Sequence, residues 1–285
     1  QMSEGNLIEQ RYTSAGKKMS GKDGSFVHRF RLAFGLGVAL GMRNIKAQYR
    51  QSLLGLVWAF LPPIATSVIW IFLTSQGVIK VQDAGIPYPL FVLTGTTLWQ
   101  LFVQSLMAPL KSVNGNKSIL TKINFPREAV LISGLVELLV PLVAGLIVIT
   151  SAMVFFGQVP DLRLLPGLGM LFLFMVGGLA LGLFLLPVGI LYKDVQFGLP
   201  VLLQLLMYLT PVVYPKLLFD GIGSVLNYNP LAPVITAARA WIVNMSDAPP
   251  LWHLVATLGA VLVLLLIGFA LFRIAMSVLI ERMGS

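Results

Sequence analysis

The chain has 285 residues, of which 57% are hydrophobic and only 11% are charged, and its mean hydropathy is +0.87. A soluble domain carries about 25% charged residues, so this composition excludes an ordinary soluble protein and predicts an all-α integral membrane protein. The sequence has no cysteine, which excludes disulfides and thiolate metal sites, and its net charge of +9 is more typical of a membrane-orientation signal than of nucleic-acid binding.

The N-terminal part divides into a polar arm and an amphipathic segment. Residues 1–24 carry lysines among Gly and Ser without the apolar core of a secretory signal, and they predict a flexible cytoplasmic arm. Residues 25–50 combine apolar residues near helical spacing with a basic side, which predicts an interfacial helix on the inner membrane surface. Glycines at 35, 37 and 41 weaken this helix prediction.

A long apolar run follows the amphipathic segment. From Leu53 to Leu73 the chain has no charged residue, and as a helix these residues are about 31 Å long, which matches a bilayer core. Pro62 and Pro63 lie inside the run and predict a bend, which a membrane tolerates when neighbouring helices satisfy the freed carbonyls. Further apolar runs follow, so we expect residues 25–285 to form a single transmembrane domain. The six predicted spans cover about 53–75, 88–107, 129–156, 164–190, 196–213 and 251–272.

The distribution of basic residues predicts the orientation of these spans. When the N-terminus is placed inside, 16 of the 20 Lys and Arg residues fall in inside segments. The other four, Lys80, Arg163, Lys216 and Arg239, fall in outside segments. This asymmetry favours a multi-pass protein with both termini in the cytoplasm, and an even number of spans agrees with it.

Two of the connecting segments carry more information than the rest. Residues 108–127 are basic and contain no acid, and residues 109–122 predict a short basic helix that acts as a lever against a cytoplasmic partner. The alternative is a plain positive-inside loop that only sets topology. Residues 214–250 contain several prolines and apolar pieces too short to span, which predicts re-entrant helices before the last span, with an ordinary outer loop as the alternative.

The sequence offers little for catalysis. In this topology the two histidines, His28 and His253, lie on opposite sides of the membrane, and no His, Asp and Glu cluster has metal-ligand spacing. Residues 115–118 resemble a fragment of a phosphate-binding loop but lack the GxxxxGK[ST] spacing and a preceding strand. We therefore expect no catalytic residue, no metal site and no cofactor in this chain, and any use of ATP requires a separate ATPase.

Glu137 is the only acidic residue deep within a predicted span. It follows Arg127 by ten residues, or about 15 Å of helix, which predicts a position near mid-membrane. An intramembrane carboxylate is costly and is a candidate functional residue. The alternative is a protonated or hydrogen-bonded Glu137 that fixes helix packing, with Gln204 or Tyr208 of the fifth span as its expected partner.

Four stretches of the sequence together resemble one family. They are YRQSLLGLVWAFLPP at 49–63, KSILTKINFPREAV at 117–130, LYKDV at 191–195 and NPLAPVITAARAWI at 229–242. In this order they resemble the membrane subunit of ABC transporters that export polysaccharides, the O-antigen and teichoic-acid export permeases of the bacterial inner membrane.

The resemblance implies the partners of the chain. It implies a homodimer of six-span subunits among membrane lipids, docked on two copies of an ABC ATPase that binds ATP and Mg. It also implies a channel between the two subunits for an undecaprenyl-type lipid-linked glycan. In that arrangement residues 25–50 are the interfacial helix, 109–122 the coupling helix and 214–250 the outer gate.

The candidate site residues fall into two groups. The expected ATPase-coupling residues are Asn116, Lys117, Ile119, Leu120, Lys122, Lys193 and Asp194. A long polar glycan needs a continuous groove, which a two-fold dimer can place on its axis between bent spans that carry polar and aromatic residues. The expected channel residues of the first and fifth spans are Trp58, Phe197, Gln204, Tyr208 and Thr210. For the aromatic residues, an interface belt or lipid-facing packing is the alternative.

Two other functions have the same broad features. An ABC permease for drugs would share the topology, and an ATPase with a carbohydrate-binding tail encoded nearby would argue against it. A membrane-embedded glycan transferase would need acids or histidines gathered at a membrane surface. The outer loops offer only scattered acids, namely Asp83, Asp161, Asp220 and Asp247.

Overall fold

The computed structural model describes residues 26–50, 53–77, 85–117, 120, 126–159, 161–215, 229–245 and 248–284. Helices joined by turns make up the described residues, and no strand occurs among them, which confirms the all-α prediction. The predicted arm at 1–24 lies outside the described residues. The helices are α1 (Phe26–Arg50), α2 (Val57–Ser75), α3 (Tyr88–Gly115), α4 (Arg127–Glu137), α5 (Leu139–Phe155), α6 (Leu164–Leu191), α7 (Lys193–Tyr208), α8 (Leu231–Ile242) and α9 (Trp252–Gly284).

Among the described residues, length and composition identify five stretches that can cross a membrane. They are α2, α3, the consecutive pair α4 and α5, α6, and α9 up to Ile274. They correspond to five of the six predicted spans. The structure moves some boundaries: α2 begins at Val57 rather than near 53, and α3 continues to Gly115, past the predicted end at 107.

The predicted fifth span, at 196–213, is the exception. Its helix, α7, has 16 residues and is about 24 Å long, and a non-helical turn follows it at 209–214. Lys193 follows the last residue of α6 after a single residue, whereas the Val213 carbonyl accepts a hydrogen bond from Tyr88 at the first turn of α3. Lys193 and Val213 therefore lie at opposite ends of the bundle. The helix α7 is too short to span the bundle, but α7 and the turn after it together extend from one end to the other.

The centre of the subunit is the packing of α3 against α6. Phe102 of α3 stacks on Phe174 of α6 with ring centroids 4.6 Å apart. Beside this pair, Gly178 and Gly182 of α6 lie so close to α3 that an added Cβ would collide with the carbonyls of Phe102 and Leu106. Small residues allow such close approach between helices in lipid, where no hydrophobic effect drives them together. α3 is consequently the most buried of the spans.

The second close contact joins α1 to α4. Gly37 and Gly41 lie one turn apart on the face of α1 that packs on α4, against Ile132 and Val136. The glycines were expected to weaken α1, but its helix is continuous from Phe26 to Arg50. Their low helix propensity is offset because the missing Cβ lets the two backbones pack tightly.

Contacts at the two ends of the bundle agree with the predicted grouping of the loops. At one end, Arg273, which was placed inside, lies 3.8 Å from Glu128, the residue directly after the predicted inside segment 108–127. At the other end, Arg163 donates to Asn244 at 3.2 Å, and both were placed outside. The loops are thus sorted as predicted, and the assignment of one end to the cytoplasm stays a prediction.

Replacing Gly41 by alanine should destabilise the subunit. The new Cβ would lie 2.7 Å from Val136 Cβ, so α1 and α4 must separate, at a cost of about 1–3 kcal/mol for an overpacked contact. Gly35→Ala is the matched control, because nothing lies within 4 Å of its Cβ position. Thermal unfolding of the detergent-solubilised protein measures both variants. Equal melting temperatures for the two would contradict the proposed close contact.

Candidate functional site

The outer faces of α2 and α7 carry four of the five expected channel residues. Trp58 on α2 is 52% exposed, Phe197 on α7 is 77% exposed and Tyr208 is 46% exposed, and Gln204 is exposed as well. We call Trp58, Trp70, Phe197, Gln204 and Tyr208 together the α2–α7 surface. When large aromatic side chains are exposed on the surface of one subunit, they contact either lipid or another protein chain.

Within this surface the structure joins α2 to α7 at one end. The rings of Trp70 and Tyr208 lie with centroids 6.2 Å apart, and Gln204 Nε2 donates to Tyr208 Oη at 3.2 Å. Phe197 lies 11 residues before Tyr208, so the two rings share one face of α7 and lie about 16 Å apart along it. Trp58 lies 12 residues before Trp70, which is about 18 Å along α2 and about a third of a turn around it. The surface therefore has aromatic side chains at two levels along its length, and those of α7 share one helix face.

Thr210 does not lie on this surface. Its side chain is buried, and its hydroxyl donates to the Leu206 carbonyl at 2.8 Å and lies 2.9 Å from Asn229 Nδ2. The helix ends at Tyr208, so helical spacing no longer predicts the direction of residue 210. Thr210 faces the interior of the subunit and belongs to the turn after α7.

The expected coupling helix at 109–122 is not a separate helix in its first half. Residues up to Gly115 are the last turns of α3, because Leu110 and Val113 pack in the core and continue the span. Asn116, which follows, is buried and donates to the Ser112 carbonyl at 2.8 Å. Leu120 is buried in the same core cluster.

The remaining expected coupling residues are divided between described and undescribed parts of the chain. Lys193 and Asp194 are exposed in the first turn of α7, and Lys117 is partly exposed directly after Asn116. Ile119 and Lys122 lie outside the described residues. The link between α6 and α7 is thus exposed, whereas Asn116 and Leu120 face the subunit.

A chain of hydrogen bonds joins α1 to α3 and α4 at the predicted inner end. Arg43 donates to Asn116 Oδ1 at 3.3 Å and to Asn44 Oδ1 at 3.1 Å. Asn44 in turn donates from Nδ2 to Glu137 Oε1 at 2.8 Å. We call Arg43, Asn44, Asn116 and Glu137 the inner network. It connects the end of α3 with the break between α4 and α5 through two adjacent residues of α1.

The inner network corrects two expectations about Glu137. Its partner is Asn44 rather than Gln204 or Tyr208, because α4 packs its face against α1. Glu137 also lies within three hydrogen bonds of Asn116, which follows the last turn of the 28-residue α3. It therefore lies towards the end of the bundle rather than near mid-membrane.

The family of the chain follows from a comparison with known proteins. Residues 36–243, from the middle of α1 to the end of α8, match the profile of the ABC-2 type transporter. The chain belongs to the ABC-2 type transporter family. The α2–α7 surface and the inner network both lie inside the matched region.

Several curated relatives of this ABC-2 type transporter chain are permeases. The O-antigen export system permease protein RfbA of Myxococcus xanthus is 28% identical over 228 residues, 78% of this chain and 86% of the relative. A protein of the same name from Klebsiella pneumoniae is 25% identical over 213 residues, 74% of this chain and 81% of the relative. The polysialic acid transport protein KpsM of Escherichia coli is 24% identical over 245 residues, 82% of this chain and 91% of the relative.

Sequence reasoning missed the role of Arg43 and Asn44 in this ABC-2 type transporter chain. Arg43 was counted only as part of the basic side of α1, and Asn44 was not singled out. The available signal was their place two and three residues beyond Gly41, on a helix whose glycines indicate a packed face. Polar residues next to such a face need partners, because leaving a buried polar group unpaired costs free energy.

Glu137→Gln should leave the subunit folded and the inner network intact. A glutamine side-chain carbonyl can accept the hydrogen bond from Asn44, whereas Glu137→Leu leaves the Asn44 amide unpaired at a cost of about 1–3 kcal/mol. We expect the Gln variant to keep its melting temperature and its transport activity, and the Leu variant to lose stability. If the Gln variant assembles normally but does not transport, Glu137 must ionise during transport and the packing role is insufficient.

Proposed function

We propose that this chain is the permease subunit of an ATP-driven ABC transporter that exports a lipid-linked polysaccharide of the O-antigen or teichoic-acid type. The observation that carries the proposal is the match to O-antigen export permeases over about three quarters of the chain. In this proposal the protein resides in the bacterial inner membrane with both termini in the cytoplasm. The lipid-linked glycan is of the undecaprenyl type.

The channel in this proposal forms between two copies of the subunit. The α2–α7 surface supports it, because aromatic rings exposed on one subunit become useful when a second subunit faces them across a two-fold axis. Ring faces bind the apolar faces of sugars with contacts of about 1 kcal/mol each, weak enough for a polymer to slide. Trp58 and Phe197 would line the inner half, and Gln204 and Tyr208 the outer half.

The energy source in this proposal is a pair of separate ATPase subunits that bind ATP and Mg. The exposed Lys193 and Asp194 support a docking site at the link between α6 and α7. The inner network supports a second element of coupling, since Arg43 ties α1 to Asn116, the first of the predicted coupling residues. A partner that moves the segment after α3 would thereby also move α1 and α4.

Two alternatives are less well supported. A drug-exporting permease would fit the ABC-2 type family equally well, but the matched relatives carry the names of O-antigen and polysialic acid transport proteins. A glycan transferase would need gathered acids or histidines. In the described part of the chain no group of three or more His, Cys, Asp and Glu residues is arranged to hold a metal.

The decisive test is ATP hydrolysis by the reconstituted complex. We expect co-expression with the partner ATPase to yield a complex whose hydrolysis is stimulated by a lipid-linked glycan and not by hydrophobic drugs. Lys193→Glu combined with Asp194→Lys should abolish association with the ATPase while leaving membrane insertion normal. Asp161→Lys, an exposed change at the opposite end, is the matched control. Stimulation by drugs alone would favour the drug-export alternative.

Cysteine scanning tests the channel surface, and it is clean because the sequence has no native cysteine. Single cysteines at Trp58, Phe197, Gln204 and Tyr208 should react with a polar thiol reagent during transport, since a glycan channel contains water. Leu203 and Met207, which are buried on the inward side of α7, are the matched control positions and should stay unreactive. Protection at every position on α2 and α7, with reactivity in α6 and α9 instead, would reject the assignment.

A further inference from the structure

The turn after α7 is a stretch of irregular backbone in a buried place. Residues 209–215 are not helical, yet the side chains of Thr210, Pro211, Val212 and Val213 are all buried. Buried carbonyls need hydrogen-bond donors, and the last four carbonyls of a helix have none within the helix. The backbone of this turn therefore needs donors from elsewhere in the subunit.

Each carbonyl from Tyr208 to Val213 has a donor within 3.3 Å. The Thr210 carbonyl is satisfied locally, by the Val212 amide, and the Tyr208 carbonyl accepts from the Tyr214 hydroxyl. The remaining four depend on three side chains from other elements. Asn229 donates to the Leu209 carbonyl at 3.3 Å, Arg239 to the carbonyls of Pro211 at 3.0 Å and Val212 at 2.6 Å, and Tyr88 to Val213 at 3.0 Å. We call Tyr88, Asn229 and Arg239 the outer clamp.

Arg239 is the central member of the outer clamp. Its side chain is 1% exposed, and its guanidinium carbon lies 3.8 Å from the centre of the Phe91 ring on α3. Gly95, one turn further along α3, makes room for it, because a Cβ there would collide with Arg239 Nη2 and the Val212 carbonyl. α3 thus supplies both an aromatic face and a gap for the guanidinium.

The charge of Arg239 is balanced by the turn itself. Among the described residues no carboxylate pairs with it, and its Nε has no hydrogen-bond partner. The two carbonyls that accept from Arg239, those of Pro211 and Val212, lie just beyond the C-terminal end of α7, and hydrogen bonds to a charged donor are stronger than those to a neutral one. A planar guanidinium can donate to two carbonyls while it stacks on a ring, and a lysine ammonium does this less well.

The turn held in this way is continuous with the α2–α7 surface. Tyr208, whose ring contacts Trp70 and whose hydroxyl accepts from Gln204, is the last residue of α7, and its carbonyl accepts from the Tyr214 hydroxyl of the turn. A shift of the turn would therefore move the ring of Tyr208 directly. Asn229 and Arg239 both lie in the stretch NPLAPVITAARAWI at 229–242, so that stretch supplies two of the three clamp residues.

We propose that Arg239 is a positioning residue for transport, which fixes the outer end of α7 against α3 and so holds Tyr208 and Gln204 at the channel. The positional role follows from the contacts of the outer clamp, and its importance for transport rests on the function proposed above. Arg239 contacts no substrate in this scheme and acts through the turn.

A buried reporter tests the clamp independently of transport. Val213 is fully buried, so in the cysteine-free chain Val213→Cys should react slowly with a small polar maleimide. Adding Arg239→Lys or Tyr88→Phe should raise its labelling rate about tenfold or more, because local opening exposes the turn. Arg163→Lys, the same change at an exposed arginine, and Thr236→Val, on the same helix as Arg239, should leave the rate unchanged.

The transport arm uses the same variants in complex with the ATPase. Tyr88→Phe removes one hydroxyl and should keep the melting temperature, yet glycan export should fall several-fold, a pattern that a merely structural role would not produce. Unchanged labelling rates in both clamp variants would overturn the clamp. Raised labelling with unchanged export would overturn its role in transport. If Arg239→Lys does not fold, Tyr88→Phe and Asn229→Ala decide the question.

Failure of the proposed function gives a different result. If the parent complex is not stimulated by any lipid-linked glycan, the polysaccharide-export proposal fails. The labelling rates of Val213→Cys are still defined in that case and still decide whether the outer clamp holds the turn.

Discussion

The need to pair every buried backbone N–H and C=O group governs this subunit. A bilayer core offers no water to polar backbone, so a chain that crosses it must be helical or must supply partners from its own side chains. Most of the described chain takes the first solution, with long apolar helices. The turn after α7 takes the second, with donors from α3, α8 and Asn229.

The inner network and the outer clamp lie at opposite ends of the same helix, α3. The inner network contacts the residue after the last turn of α3, through Arg43 and Asn116. The outer clamp contacts its first turns, where Tyr88 donates to the turn and Phe91 faces Arg239. Between them α3 packs on α6 with the stacked rings of Phe102 and Phe174. The most buried span, α3, therefore also connects the inner network with the outer clamp.

The sequence allowed the spans and the family to be predicted, and it gave the loops a grouping that the contacts between them support. Hydropathy depends on local composition, so five of the six predicted spans appear as helices long enough to cross a membrane. The exception, the predicted fifth span at 196–213, is shorter as a helix because the chain leaves helical geometry after Tyr208. Hydropathy does not reveal such a change, since Pro211, Val212 and Val213 are as apolar as the helix before them.

The partners of individual polar residues could not be predicted from the sequence. Glu137 bonds Asn44 because α4 packs on α1, and this packing depends on Gly37 and Gly41, which local propensity counts as unfavourable. Asn116 was assigned to a separate basic helix, although Leu110 and Val113 extend α3 up to it. In each case the deciding fact is which face of a helix meets its neighbour, and sequence alone does not fix that rotation.

The length of α3 has a geometrical consequence. Its 28 residues extend about 42 Å, longer than the roughly 30 Å of a bilayer core, so both ends project towards the headgroups. A tilt of about 5° of such a rod displaces one end by almost 4 Å relative to the other, more than the tolerance of a hydrogen bond. A helix held by polar contacts at both ends therefore transmits a small rocking motion at the Asn116 end to the Tyr88 end, on the other side of the bundle.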